Sequence, residues 1–231
     1  MAELRNGILG ELRGKIGNKV MRKVNGKIVA SERPATYKKT KSKKAKSVRG
    51  RFAITVDLAK YVNSIPDLRL AWSNADVKGT SPYHKAIKVN SYLTGNDSPS
   101  LNNIITPYGI FLKTKSISLD NKNLILQFEN IEEALLQNQF SSFSLHALLS
   151  YQEPITKSDK KYKLSNISLS GQTITSLSEI RFSLQLDKTA SALRKKYKSL
   201  VLYTAIVFNP PLPKQFFWTS TVTVQINLCK V

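Results

Sequence analysis

Past Tyr108 the sequence becomes a succession of short β-prone runs, and that texture constrains the fold more than any other feature. The runs cover residues 109–113, 116–119, 124–129, 143–152, 162–169, 180–186, 199–208 and 217–228, separated by polar or turn residues. Alternation is strict in Val222-Thr223-Val224-Gln225-Ile226-Asn227-Leu228 and in Arg181-Phe182-Ser183-Leu184-Gln185-Leu186. A period of two puts every second side chain on one face, so such strands expect one buried side. About seven strands at regular spacing predict an antiparallel β-sandwich of fibronectin or immunoglobulin-like type.

The first hundred residues have another texture. Asn25-Gly26 stands between two β-prone runs, 15–24 and 27–33, and both residues tolerate positive φ, so a type I′ hairpin is predicted. An isolated two-stranded hairpin is marginal in water, which makes this one a docking element. Ala45, Val48, Phe52, Val56 and Ala59 recur at spacings of three and four, the stripe of a helix over 42–63 with Ser42 as its cap. Ser81-Pro82 marks the start of a second helix, Gly95 stands after its end, and Ala86, Val89, Tyr92 and Leu93 would be its buried face. Between the two, residues 66–79 read as a short helical turn and loop around Trp72. The expected class is α+β: a basic hairpin and Lys-rich arm over 1–51, a helical connector over 52–106 and the sandwich over 107–231.

Charge follows the same division. The chain carries a formal +21, and residues 1–51 alone hold 16 Lys/Arg against 3 Asp/Glu, a net +13. Charge packed this densely repels itself unless a polyanion or an acidic surface neutralises it. The competing reading is a solvated face that only keeps the protein soluble. Apolar residues make up 41% and charged residues 22%, ordinary values for a folding chain. The candidate polyanion contacts are Lys38, Lys39, Lys41, Lys43, Lys44, Lys46, Arg49 and Arg51. Lys outnumbers Arg in this run, which favours diffuse charge over bidentate reading of bases. Tyr37 is its one aromatic, too little for a base-stacking platform.

Catalytic patterns are sparse. His84 and His146 are the two histidines, at a predicted helix start and inside a predicted strand, and both read as structural. Glu132-Glu133 would diverge on a helix. Cys229 is the single cysteine, and neither His-x-x-x-His nor Cys-x-x-Cys occurs, so no zinc site and no cofactor is expected. Gly10 to Gly14-Lys15 is one residue short of a phosphate loop, and Ile16 fills its hydroxyl position. Gly7, Gly10, Gly14 and Gly17 read instead as backbone freedom in a turn-rich segment. Met1 to Gly10 lacks the apolar core of a secretory signal, and no run reaches the ~20 apolar residues of a membrane span. A protein made and kept without membrane insertion is the expectation.

Asn6-Gly7-Ile8-Leu9-Gly10, Gly14-Lys15-Ile16-Gly17-Asn18-Lys19-Val20, Gly26-Lys27 running to Arg33-Pro34, and Arg49-Gly50-Arg51-Phe52 together resemble a domain family of unknown function common in Bacteroidota and their phages and mobile elements. That family begins with a glycine-punctuated hairpin, passes through a basic segment into an Arg-x-x-Phe helix and ends in a β-sandwich. It usually has an aromatic where this chain has Val24-Asn25, and often Gln where this chain has Lys. The resemblance carries no catalytic residues. It implies a non-enzymatic assembly protein, a component of a phage virion or phage-like particle. The hairpin, with Gly10, Gly14, Gly17, Asn25 and Gly26, would dock on neighbouring subunits of a homo-oligomer, and the basic segment would meet packaged DNA or RNA. A free, sequence-nonspecific nucleic-acid-binding protein is the alternative, and a surface-adhesion module the weaker one. Virion or producing-cell cytoplasm would be its place.

Overall fold

The structure, a computed structural model, describes residues 2–4, 14–24, 26–33, 36, 40–120, 123–129, 142–172, 179–209 and 216–228. Two compact units make up the chain, residues 1–42 and 43–231. The first contains β1 (Ala2–Leu4), β2 (Gly14–Ile16), β3 (Lys19–Val24) and β4 (Lys27–Glu32), an antiparallel sheet in the order β1-β4-β3-β2. The β3–β4 hairpin is the one the sequence predicts: Val24 pairs with Lys27, and Gly26 has φ +83°. The single run expected over 15–24, however, is two strands. Gly17, at φ +54°, and Asn18 turn the chain back so that Ile16 pairs with Lys19. Asn18 then holds the far end of the sheet, donating from Nδ2 to Glu32 at 3.0 Å.

The second unit starts with three helices: α1 (Lys43–Ser64), α2 (Pro66–Asn74) and α3 (Pro82–Leu93). Eight strands are described after them: β5 (Lys113–Leu119), β6 (Asn123–Glu129), β7 (Ser142–Pro154), β8 (Tyr162–Gln172), β9 (Glu179–Gln185), β10 (Tyr197–Asn209), β11 (Phe217–Trp218) and β12 (Val222–Asn227). A short helix, α4 (Lys188–Arg194), precedes β10, with Asp187 capping it by accepting from the Ala190 N–H at 2.6 Å. One sheet runs β11-β10-β7-β8, with β12 on the same side of β10 as β11; the other runs β5-β6-β9.

These two sheets face each other across a shared core. Leu124, Leu126 and Phe128 of β6 and Phe182 and Leu184 of β9 lie in one cluster with Leu145 and Leu149 of β7 and Leu200, Leu202, Ile206 and Phe208 of β10. Phe143 and Phe182, from opposite sheets, meet edge to face at 5.4 Å, a favoured aromatic geometry. The larger sheet is buried on its other face too. Leu148, Val201, Tyr203, Ala205 and Val207 point away from the sandwich core and pack with Leu58, Val62, Leu68 and Trp72 of the helices. This double coverage explains why β7 is buried at every position from Phe143 to Tyr151, its polar Ser144, His146 and Ser150 included. The protein is a mixed α+β chain whose larger unit is a β-sandwich with a helical layer on one outer face. The sequence places divisions at 51 and 106, whereas the unit boundary falls between Ser42 and Lys43 and the helices share a core with the sheet.

Two predicted helix faces need correction. α3 starts as expected, with Ser81 Oγ accepting from the His84 N–H and Pro at the first turn, but Tyr92 is 86% exposed. The buried position beside Ala86 is Asn90, whose side chain donates to the Ile104 carbonyl at 3.0 Å and accepts from the Ile104 N–H at 2.9 Å. In α1 the buried residues are Ile54, Thr55, Leu58, Ala59 and Val62. Val48 and Phe52, expected in the core, are 48% and 56% exposed. The predicted stripe is real but points elsewhere, because the first turns of α1 carry no apolar side chain into the core. Phe52→Ser is therefore expected to change stability by no more than about 0.5 kcal/mol in urea unfolding. A loss above about 2 kcal/mol would mean that Phe52 is packed.

Candidate polyanion-binding surface

Of the eight predicted contacts, Lys38 and Lys39 lie outside the described residues, as do Gly10 and Asn25 of the docking hairpin. Lys41 is exposed in the first unit, as are Gly14, Gly17 and Gly26 at its turns. Lys43, Lys44, Lys46 and Arg49 are exposed on the first two turns of α1. Arg51 differs: it is half-buried, and its Nε is shielded with no hydrogen-bond partner among the described residues.

The fold brings a second basic group, from the β7–β8 connection, beside these turns. Ser47 Oγ donates to Asn96 Oδ1 at 2.9 Å, and the next residue, Asp97, pairs with Lys161. Consecutive Cα atoms are ~3.8 Å apart, so this one loop ties Lys161 to the second turn of α1. Farther along the helix, the Tyr61 hydroxyl donates to the Leu164 carbonyl at 3.0 Å and the Tyr162 hydroxyl to Asp57 Oδ2 at 2.8 Å. A cavity of about 420 Å³ results, lined by Asp57, Tyr61, Lys160, Lys161, Tyr162, Lys163 and Leu164. Burial, and then the bond to Asp57, push the Tyr162 phenol up, so it remains a donor at neutral pH. Asp97 and Lys161 are both largely exposed, and such a pair contributes at most about 1 kcal/mol and yields readily to salt or to another anion. Lys160, Lys161 and Lys163 are absent from the predicted contact set because only the tertiary fold sets them next to α1.

His146 makes the other concentrated polar contact. On β7, facing the helical layer, it is 2% exposed, with Nε2 3.0 Å from Asp67 Oδ2 of α2 and Nδ1 2.9 Å from Ser168 Oγ of β8. Ser, His and Asp thus meet, but the nitrogens are reversed relative to a nucleophilic triad, where the acid holds Nδ1. None of the three lines the cavity above. The arrangement fastens α2 to the sheet. Its hydrogen bond to His146, foremost, and a further one from Ser144 hold the Asp67 carboxyl below the usual carboxylate range against the opposing effect of burial. A depressed folded-state pKa gives stability that is present above about pH 4 and lost as pH falls through the folded value. Asp67→Asn is expected to cost about 1.5–3 kcal/mol at pH 7, with the gap to the parent protein narrowing as pH falls below about 4 in acid-urea titrations. A gap that stays constant across the acid range would show that the carboxylate charge is not the cause.

Among the described residues no group of three or more His, Cys, Asp or Glu gathers to hold a metal, and no helix is long and apolar enough to cross a membrane. No protein-family model matches the chain. No curated protein matches it either. One solved structure, a chain described in connection with CC2D1B and the mitotic reformation of the nuclear envelope, overlaps 78% of this chain and 70% of its own at 12% identity. Its TM-score is 0.19, a level at which neither fold nor function carries over.

Proposed function

We propose that the protein is a non-enzymatic assembly component, working in a virion or in the cytoplasm of the producing cell, that docks on an acidic neighbouring subunit through the start of α1. The observation that carries this reading is the pairing of exposed cations with exposed apolar groups on the same turns: Lys43, Lys44, Lys46 and Arg49 beside Val48 and Phe52. A surface that only neutralises phosphate gains nothing from an exposed Phe, whereas a protein interface combines a buried aromatic with complementary charge at its rim. The family resemblance, with its phage association, points the same way. The exposed glycine turns of the first unit supply further docking surface.

Light scattering of the purified protein over a salt series, with Phe52→Ser and Val48→Ser in parallel, tests the reading. Self-association or co-assembly with an acidic partner should be lost in Phe52→Ser while binding to mixed-sequence duplex DNA is kept. A strict monomer that binds DNA identically with and without Phe52 would instead favour a free nucleic-acid-binding protein.

A further inference from the structure

The larger sheet ends on β8, and part of that edge is open. Ile206 of β10 bonds on the side away from β7: its carbonyl accepts from the Thr219 N–H at 2.9 Å, and its N–H donates to Thr219 Oγ1 at 2.9 Å. Backbone groups in an antiparallel ladder alternate sides, so the odd-numbered residues of β10 bond to β7. Leu145, Ala147, Leu149 and Tyr151 of β7 then bond to Leu169, Ile167, Ser165 and Lys163 of β8. The even-numbered residues of β8 are left with their N–H and C=O groups turned outward. The Leu164 carbonyl accepts from the Tyr61 hydroxyl at 3.0 Å, which puts α1 against that end of the edge. Past it, Asn166 and Ser168 are exposed, and their backbone groups have no partner among the described residues.

An open edge invites another chain, and charge decides which. The cavity of about 420 Å³ between α1 and the start of β8 adjoins this stretch, with Lys160, Lys161 and Lys163 in its walls. Lys160 and Lys163 make no ion pair among the described residues, and Lys161 holds only the exposed Asp97. The one acid in the walls, Asp57, already accepts from Tyr162. Pairing with β8 of a second copy would bring two sets of lysines together, so the edge rejects its own kind. A nucleic acid would satisfy the lysines but not the edge, whose alternating donors and acceptors are matched by a polypeptide backbone. We infer that β8 takes up an extended acidic segment of a partner protein as an added strand. The partner's main chain pairs with Asn166 and Ser168, and its carboxylates enter the cavity against Lys160, Lys161 and Lys163. Lys161 exchanges Asp97 for a partner carboxylate, as an exposed pair permits. Val48 and Phe52 line no part of this cavity, so the inference does not depend on docking through the start of α1.

The probes are two fluorescein-labelled peptides, each a run of about five alternating Thr and Val residues carrying a Glu triplet at its C-terminus or at its N-terminus, for antiparallel or parallel addition. Anisotropy titration of the intact protein at low salt should show saturable binding of at least one. Affinity should fall about tenfold when Lys160, Lys161 and Lys163 are changed to Gln, and about tenfold when the peptide is N-methylated at every second residue in one of the two registers, which removes donors and keeps the charge. Asn166→Pro should block addition from the other side. Its N–H points away from β7, so Pro is tolerated there and melting should stay within a few degrees of the parent. The amides of Asn166 and Ser168 should exchange more slowly with peptide bound. Phe52→Ser should leave peptide affinity unchanged, which separates this site from docking through α1. Failure of both peptides to bind saturably would overturn the inference, whether or not duplex DNA binds. So would binding that survives N-methylation in both registers, since that is attraction of charge alone.

Discussion

Trp72→Ala should lower the stability of the 43–231 unit by about 3–5 kcal/mol, the range for emptying a buried aromatic site. Trp72 is fully buried, and it belongs to the cluster in which α1, α2 and the outward face of β10 meet. Collapse around the deletion is hindered because β7 and β10 are also held from behind by the sandwich core. The space left would open into a cavity that Trp72 already lines, leaving contacts unmade rather than replaced. A fall of roughly 10 °C in melting temperature is expected for a unit of this size. Trp72→Phe should cost less, about 1–3 kcal/mol, largely through the Ile105 carbonyl left without its donor. Urea unfolding with unchanged m distinguishes these values. A loss under 1 kcal/mol in the Ala variant would remove Trp72 from the core.

Replacing Lys43, Lys44, Lys46 and Arg49 with Gln should weaken binding to a labelled mixed-sequence duplex on the order of a hundredfold at low salt. Each phosphate neutralised releases counterion, so the slope of log affinity against log salt should also flatten, by roughly 3–4 for four lost contacts. Lys160, Lys161 and Lys163 changed to Gln should reduce affinity further if the two groups act as one surface. All these side chains are exposed, so melting should hardly move. Anisotropy titrations at several salt concentrations measure both quantities. A slope identical to that of the parent would mean that the start of α1 meets no polyanion.

The strands are the most legible part of this chain. Alternation locates β9 closely because Phe182 and Leu184 are buried between exposed neighbours, and β12 because Val222 and Ile226 lean on the core while Gln225 and Asn227 are exposed; the Ser81-Pro82 pair locates α3 because capping is a local matter. Buried polar residues mislead. Asn90, Thr94, Asn103 and Thr55 look like surface residues, yet they bond to one another inside the helical layer; Asn103 Nδ2 donates to Asn90 Oδ1 at 2.9 Å and Thr55 Oγ1 to Thr94 Oγ1 at 2.9 Å. Taking Thr55 as polar turns the inferred face of α1 by about a quarter of the helix circumference, toward Phe52. The charge on α1 is plain in the sequence, but its neighbours at 160–163 are not, since the loop carrying Asn96 and Asp97 has to fold before they meet.

Because the large sheet is covered on both faces, order of synthesis becomes a hazard. The helices carrying Leu58, Val62, Leu68 and Trp72 leave the ribosome well before β10, whose Val201, Tyr203, Ala205 and Val207 must cover them. At ordinary elongation rates that interval is on the order of 10 s, long enough for uncovered apolar surface on neighbouring nascent chains to meet. Lys43, Lys44 and Lys46 emerge just ahead of this surface. Like charge on every chain of a polysome is then expected to keep the unfinished helical layers apart until β10 arrives.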